Sequence, residues 1–249
     1  MNNKIKLGYF SFSTMLDPEP YLEWHQNDHM PEQFALPGLP WGARFVSPQS
    51  CVDASAAREE EGVGLADSLQ LYFMEDPERL IPEFLALGRE LAGAGRLRTD
   101  LVEFRMQASL HLVNCYVAPR VHIGAEVVPY KPNFGAYVIV EHVDDVSGID
   151  DWVTAQHRAM PELMEVPGVI GLWSFASTGG YGVKRTRERA SMFYLDDDPI
   201  AVAERLDPLL VRRWKGAPVH PMLAGPFRSL HPPPSRWNVM DDDPSWGKR

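Results

Sequence analysis

Cysteine is scarce. Cys51 and Cys115 are the only two in 249 residues, and they form no CxxC pair. That argues against a disulfide framework, and neither thiol sits in a nucleophile motif, so both read as buried or idle. No run approaches the roughly 18 apolar residues of a membrane span, and the opening Met-Asn-Asn-Lys-Ile-Lys has no apolar signal core. The expectation is a cytoplasmic protein without a membrane partner. Positive charge is in short supply: 24 Lys and Arg stand against 34 Asp and Glu, a formal charge of −10. This disfavours nucleic acid and anionic lipid and fits a neutral or weakly charged small molecule. The run Gly179-Gly180-Tyr181-Gly182 is too short and wrongly placed for a phosphate loop. With no Gly-x-Ser-x-Gly and no dinucleotide fingerprint, nucleotide and serine-hydrolase chemistry fall away.

What the chain does have is a motif written twice. Trp24-His25-Gln26-Asn27-Asp28-His29-Met30-Pro31-Glu32 runs on to Pro37-Gly38, and Trp152 leads through His157 and Met160-Pro161-Glu162 to Pro167-Gly168. Trp and His stand five apart in both copies, and the copies are roughly 128–130 residues apart, half the chain. The first copy holds His25, Asp28 and His29; the second keeps only the counterpart of His29. One fold written twice, with its chemistry in one copy, is the starting hypothesis.

The elements repeat as well. An alternating strand over 4–13 is followed by a helix opened by Asp17-Pro18, an N-cap and a first-position proline. Pro31 disturbs that helix and Pro37-Gly38 ends it. Strands follow at 41–46 and 68–75, separated by a polar, Glu- and Gly-rich stretch read as an exposed, partly mobile insertion. Asp76-Pro77 caps a second helix, and 102–117 supplies a long strand or a pair. The same order runs from 134 to 230 with helices after Gly148 and Asp198-Pro199. The expected division is a first repeat over 1–117, a connection over 118–133, a second repeat over 134–230 and a tail over 231–249. Each βαββαβ unit implies a four-stranded antiparallel sheet with two helices on one face, an α+β class.

This order, the Trp-x4-His helix and the His-Met-Pro-Glu…Pro-Gly exit together resemble the dimeric α/β-barrel superfamily of ferredoxin-like units, most of all its EthD-like branch. The resemblance implies two sheets packed into one barrel, here from a single chain, with a pocket between sheet and helices. It also implies a choice among cyclases, isomerases, quinone-forming monooxygenases, haem-handling enzymes and stress proteins, so residues must decide.

Three titratable groups within five residues suggest acid/base chemistry. The i, i+3, i+4 spacing lets His25, Asp28 and His29 share a helix face, where a carboxylate could orient an imidazole that titrates near neutrality. The resemblance implies a tyrosine partner, and Tyr9 and Tyr72 on strands are the candidates. The plain alternative is that a histidine near a helix end caps carbonyls. Trp24 and Trp41 are candidates for pocket wall or for core, Arg44 and Arg105 could hold a substrate anion, and His111 is a further candidate. Outward salt bridges are the alternative for the arginines. No cofactor is expected. A metal held by His25 and His29 lacks the HExxH pattern, and haem, for which His111, His122 and His220 are also available, lacks CxxCH. The expected function is a lyase, dehydratase or isomerase acting on an apolar aromatic or polycyclic molecule. A haem- or oxygen-dependent oxidoreductase and a non-enzymatic binding or stress protein stay open, as does a homodimer.

Overall fold

The structure, a computed structural model, describes residues 4–177 and 187–230. β1 (Leu7–Met15) leads into α1 (Pro18–Trp24), a π-helical turn (His25–His29) and α2 (Met30–Phe34). Gly38, at φ 93°, turns the chain into β2 (Trp41–Val46). A segment with α3 (Gln49–Asp53) and the short β3 (Ala57–Arg58) precedes β4 (Ser68–Met74), α4 (Pro77–Gly93) and β5 (Val102–Val117). The second half runs β6 (Gly135–Val143), α5 (Ile149–Met164), β7 (Val169–Ala176), β8 (Glu188–Leu195), α6 (Pro199–Trp214) and β9 (Val219–Ser229). Asp76 and Asp198 cap α4 and α6 by accepting from the N–H of Arg79 (3.4 Å) and Ala201 (3.1 Å). Asp17 holds the equivalent place on α1 but makes no side-chain cap bond.

Eight strands run antiparallel in the order β2-β4-β1-β5-β7-β8-β6-β9. β9 then returns to β2 through Phe45–Ser229 and Val46–Arg228, which closes the barrel. β3 adds to β9 outside this ring. The two halves contribute β2-β4-β1-β5 and β7-β8-β6-β9, corresponding strands in the same order. β5 joins them: its first part pairs with β1 as far as His111, and its last part pairs with β7.

Strand alternation sends one face of each strand inward. Phe10, Phe12, Phe45, Phe73, Trp173 and Phe175 fill the interior, with Phe10 and Phe175 edge to face at 5.0 Å. An eight-stranded barrel is just wide enough for side chains, so this interior is core rather than channel. The helices cover the outside. α5 and α6 pack Leu163, Val202 and Leu206 on one half, while α2 and α4 pack Met30 and Leu80 over Leu7 and Tyr72 on the other.

The 47–68 insertion differs from its expectation as a mobile loop. Arg58 fastens it, donating to the carbonyls of Gly64 (3.1 Å) and Ala66 (2.7 Å) and to the hydroxyls of Ser47 (2.7 Å) and Ser55 (3.0 Å). One guanidinium thereby organises a polar segment that has little apolar surface to bury. The run 179–182, Lys184, Arg185 and the tail 231–249 lie outside the described residues. Among the described residues no helix is long and apolar enough to cross a membrane.

Arg58→Ala removes four donor contacts at once. It should lower stability by about 1.5–3 kcal/mol and speed amide exchange between residues 47 and 67 ahead of the barrel strands. Exchange mass spectrometry reads both, and uniform acceleration across the barrel would contradict a local role.

Candidate active site

Pro31 has no N–H to give the helix. The chain answers with the π-helical turn, in which the Met30 N–H reaches back five residues to the His25 carbonyl. The wider turn changes which side chains share a face. His25 turns inward and is 5% exposed, His29 is half-buried, and Asp28 points into solvent. Asp28, expected to orient an imidazole, therefore cannot do so. Glu32 stands in its place, with Oε2 4.0 Å from His29 Nδ1, and Glu32 is itself paired with Arg96. The sequence signal for it was the glutamate of the repeated Met-Pro-Glu.

A cavity of ≈ 350 Å³ opens between the outer face of the first half-sheet and its helices. Tyr9, Tyr72, Trp24, His25 and His29 all line it. Trp24 stacks on His29 with ring centres 4.9 Å apart and anchors its indole N–H on the Arg96 carbonyl at 3.1 Å. The Gln33 amide lies 3.2 Å from His29 Nε2, and Tyr72 Oη lies 3.5 Å from His25 Nε2. Phe84, Leu85, Val102 and Phe104 supply apolar wall.

Beneath the helix, four polar side chains cross the sheet in one row. Arg44 on β2 is in register with Gln70, Gln70 with Ser11, and Ser11 with Gln107. Arg44 is 1% exposed. It lies behind the cavity wall, under the Tyr21 ring at 5.0 Å, and donates through Nη1 to the Leu22 carbonyl at 3.3 Å. Its Nε and Nη2 have no partner, and among the described residues no carboxylate pairs with it. A buried guanidinium keeps its proton, so its charge is uncompensated.

That charge adds to the effect of burial on its neighbours. Burial, reinforced by Arg44, drops His29 to about 4. Burial, then Arg44 and His29, holds His25 well below the ordinary imidazole range. Both rings are neutral at pH 7. Burial raises the Tyr9 phenol to about 12 and raises Tyr72 as well. The site thus presents neutral imidazoles able to accept a proton, phenols able to donate hydrogen bonds, and a fixed positive field.

Three further candidates fall elsewhere. Trp41 sits three residues from Arg44 on the same strand and so faces the opposite way, against the barrel interior and Tyr130. Arg105 forms an ion pair with Glu103 at 2.7 Å and bonds Thr14 Oγ1 at 2.8 Å. His111, at the point where β5 passes from β1 to β7, is outside the cavity wall.

The matching place in the second half is nearly closed, at ≈ 50 Å³. Helix side chains make the difference. Counting from the capping prolines, Gly88 and Ala92 of α4 correspond to Leu210 and Trp214 of α6. The small pair lines the open cavity and the large pair fills the closed one. The polar row shrinks there to two serines: the equivalents of Arg44, Gln70 and Ser11 are Ser174, Ser191 and Ile139. His157 bonds Tyr116 Oη, and Glu162 pairs with Arg212 instead of approaching that histidine.

A Cβ added at Gly88 would meet nothing within 4 Å. Gly88→Leu should therefore fill the cavity while stabilising α4 by up to about 1 kcal/mol, since glycine is a poor helix former. Fluorescence titration with 2-naphthol and thermal melting check this. Affinity should fall at least ~10-fold with the melting point unchanged or raised; unchanged affinity would show that the ligand binds elsewhere.

No protein-family model matches this chain, and no curated protein matches it. Solved structures do. An anthrone oxidase-like protein is 13% identical, with a TM-score of 0.53 over 91% of this chain and 92% of its own. A chlorite dismutase-like protein is 12% identical, with a TM-score of 0.54 over 90% and 94%. A monooxygenase-like protein from Fusobacterium nucleatum is 9% identical, with a TM-score of 0.52 over 92% and 94%. At such identities the likeness is one of architecture: the chain has the dimeric α+β barrel fold.

Proposed function

We propose that the first-half cavity is the active site of an enzyme that removes a proton from an apolar, ring-bearing small molecule and holds the resulting anion. The observation that carries this is Arg44, a buried and uncompensated cation beside two neutral imidazoles. In the step proposed, a substrate C–H or O–H displaces the Gln33 amide from His29 Nε2. The bond breaks, the proton passes to Nε2, and the electron pair stays on the substrate as an enolate or phenolate. The Arg44 field stabilises that anion, with Tyr9 or Tyr72 donating to its oxygen. Glu32 steadies the imidazolium from the Nδ1 side. His25 holds His29 and Tyr72 in place rather than acting on substrate.

Return of the proton at another carbon gives isomerisation, and loss of a leaving group gives elimination. This lyase or isomerase reading requires no resident cofactor. In this arrangement both histidines bury Nδ1 and turn Nε2 towards Gln33 or Tyr72, which places them for hydrogen bonding and proton transfer. Among the described residues, no three of His, Cys, Asp and Glu converge as a metal site. In a second reading, favoured by the anthrone oxidase-like and monooxygenase-like neighbours, the same carbanion adds to dioxygen; the new C–O bond gives a peroxide anion that takes the proton back from His29 and loses water to leave a carbonyl. The EthD-like branch and a duplicated origin are part of the proposal, supported by the repeated motif and the equal strand order of the halves.

Anthrone in deuterium oxide under argon tests the shared step. The wild type should exchange the ring methylene protons, followed by NMR, and His29→Ala should be at least ~10²-fold slower. Because His29 must be neutral, the catalysed rate should be flat from pH 8 to about 5.5 and fall as pH drops through about 4. Binding without exchange would make the protein a carrier. Oxygen uptake once air is admitted would select the oxidase branch.

A further inference from the structure

The small cavity of the second half is lined by two cations that no described carboxylate pairs with directly. Arg189 on β8 and Arg213 near the end of α6 both line it and are half-buried. Among the described residues neither has an ion-pair or hydrogen-bond partner. Arg189 lies over the Trp152 ring at 5.8 Å, and the buried Trp152 indole N–H has no acceptor. Glu141, in register with Arg189, attracts both cations, and its Oε1 accepts from Trp214 Nε1 at 2.7 Å; Glu162 also attracts Arg213 but is paired with Arg212. Three cations, Arg189, Arg212 and Arg213, thus share two carboxylates, Glu141 and Glu162, which with the unsatisfied indole leaves the place short of one negative charge and one acceptor.

Size narrows the ligand. One water occupies about 10–15 Å³ on this scale, so ≈ 50 Å³ accommodates about four heavy atoms. The naphthol-sized molecules that suit the first cavity are excluded by Leu210 and Trp214.

We propose that the second half is a separate binding site for a small carboxylate of acetate size, held between Arg189 and Arg213 with Trp152 Nε1 as a further donor. Paired guanidiniums match a carboxylate's two oxygens, and a planar ion of this size fills the space without moving α6. The site needs nothing from the first-half chemistry and stands or falls apart from it.

Acetate titrated into the full-length protein tests it, by calorimetry and by NMR of the indole N–H resonances. Binding should saturate at one acetate per chain and shift the Trp152 and Trp214 indoles while leaving Trp24 unmoved. Arg189→Gln and Arg213→Gln should each weaken affinity about tenfold. Phenylacetate, with the same head on a larger body, should compete at least tenfold more weakly. Absence of saturable binding, shifts confined to Trp24, or undiminished affinity in a folded Arg213→Gln protein would each overturn the proposal. The indole map in the wild type decides the matter if either variant fails to fold.

Discussion

A barrel closed from eight strands has no interior to spare. Phe10, Phe12, Phe45, Phe73, Trp173 and Phe175 occupy it, so any ligand space must lie outside, between sheet and helices. Whether space exists there is then a matter of helix side chains. α4 offers Gly88 and Ala92 and leaves a cavity, while α6 offers Leu210 and Trp214 and leaves a crevice. Two halves with one strand order thus acquire different capacities through a few side chains, without any change in topology.

Within the open cavity burial sets the protonation tendencies and one cation adds to them. Arg44 reaches the helix-facing side of β2 because alternation puts it there, and Tyr21 and Leu22 of α1 close over it. Burying a cation without a counter-ion is unfavourable, and the densely packed barrel is large enough to carry that. In return its field adds to the burial that keeps His25 and His29 neutral and favours negative charge on whatever enters. Opposing protonation tendencies in one small volume, imidazoles pushed down and phenols pushed up, are the pattern expected where proton transfer takes place.

Much of this was legible in the sequence. Asp-Pro pairs and Pro-Gly exits marked the helices because capping and helix termination are local, and period-two alternation marked the strands. Tyr9, Tyr72, Trp24, His25 and His29 were placed together by their positions in a known element order. The misplacements were those of local geometry. Asp28 was assigned by α-helical spacing, which the π-helical turn before Pro31 abolishes. Trp41 shares β2 with Arg44, but residues three apart on a strand face opposite ways, so it takes the core place that was one of its two readings. The 47–68 insertion looked loose because its order depends on Arg58, whose partners are dispersed along it. That Arg44 would be buried without a carboxylate is a property of packing between elements and has no signature in one dimension.

The acidity of a bound phenol tests the central claim most directly. With 1-naphthol at saturation, its ionisation can be followed by ultraviolet absorbance in the wild type and in Arg44→Met. If the uncompensated guanidinium favours anions, naphthol bound to the wild type should have a pKa at least about one unit below that in the variant, a difference of about 1.4 kcal/mol. An equal or higher value in the wild type would contradict the account, because the guanidinium would then lend the bound anion no stabilisation.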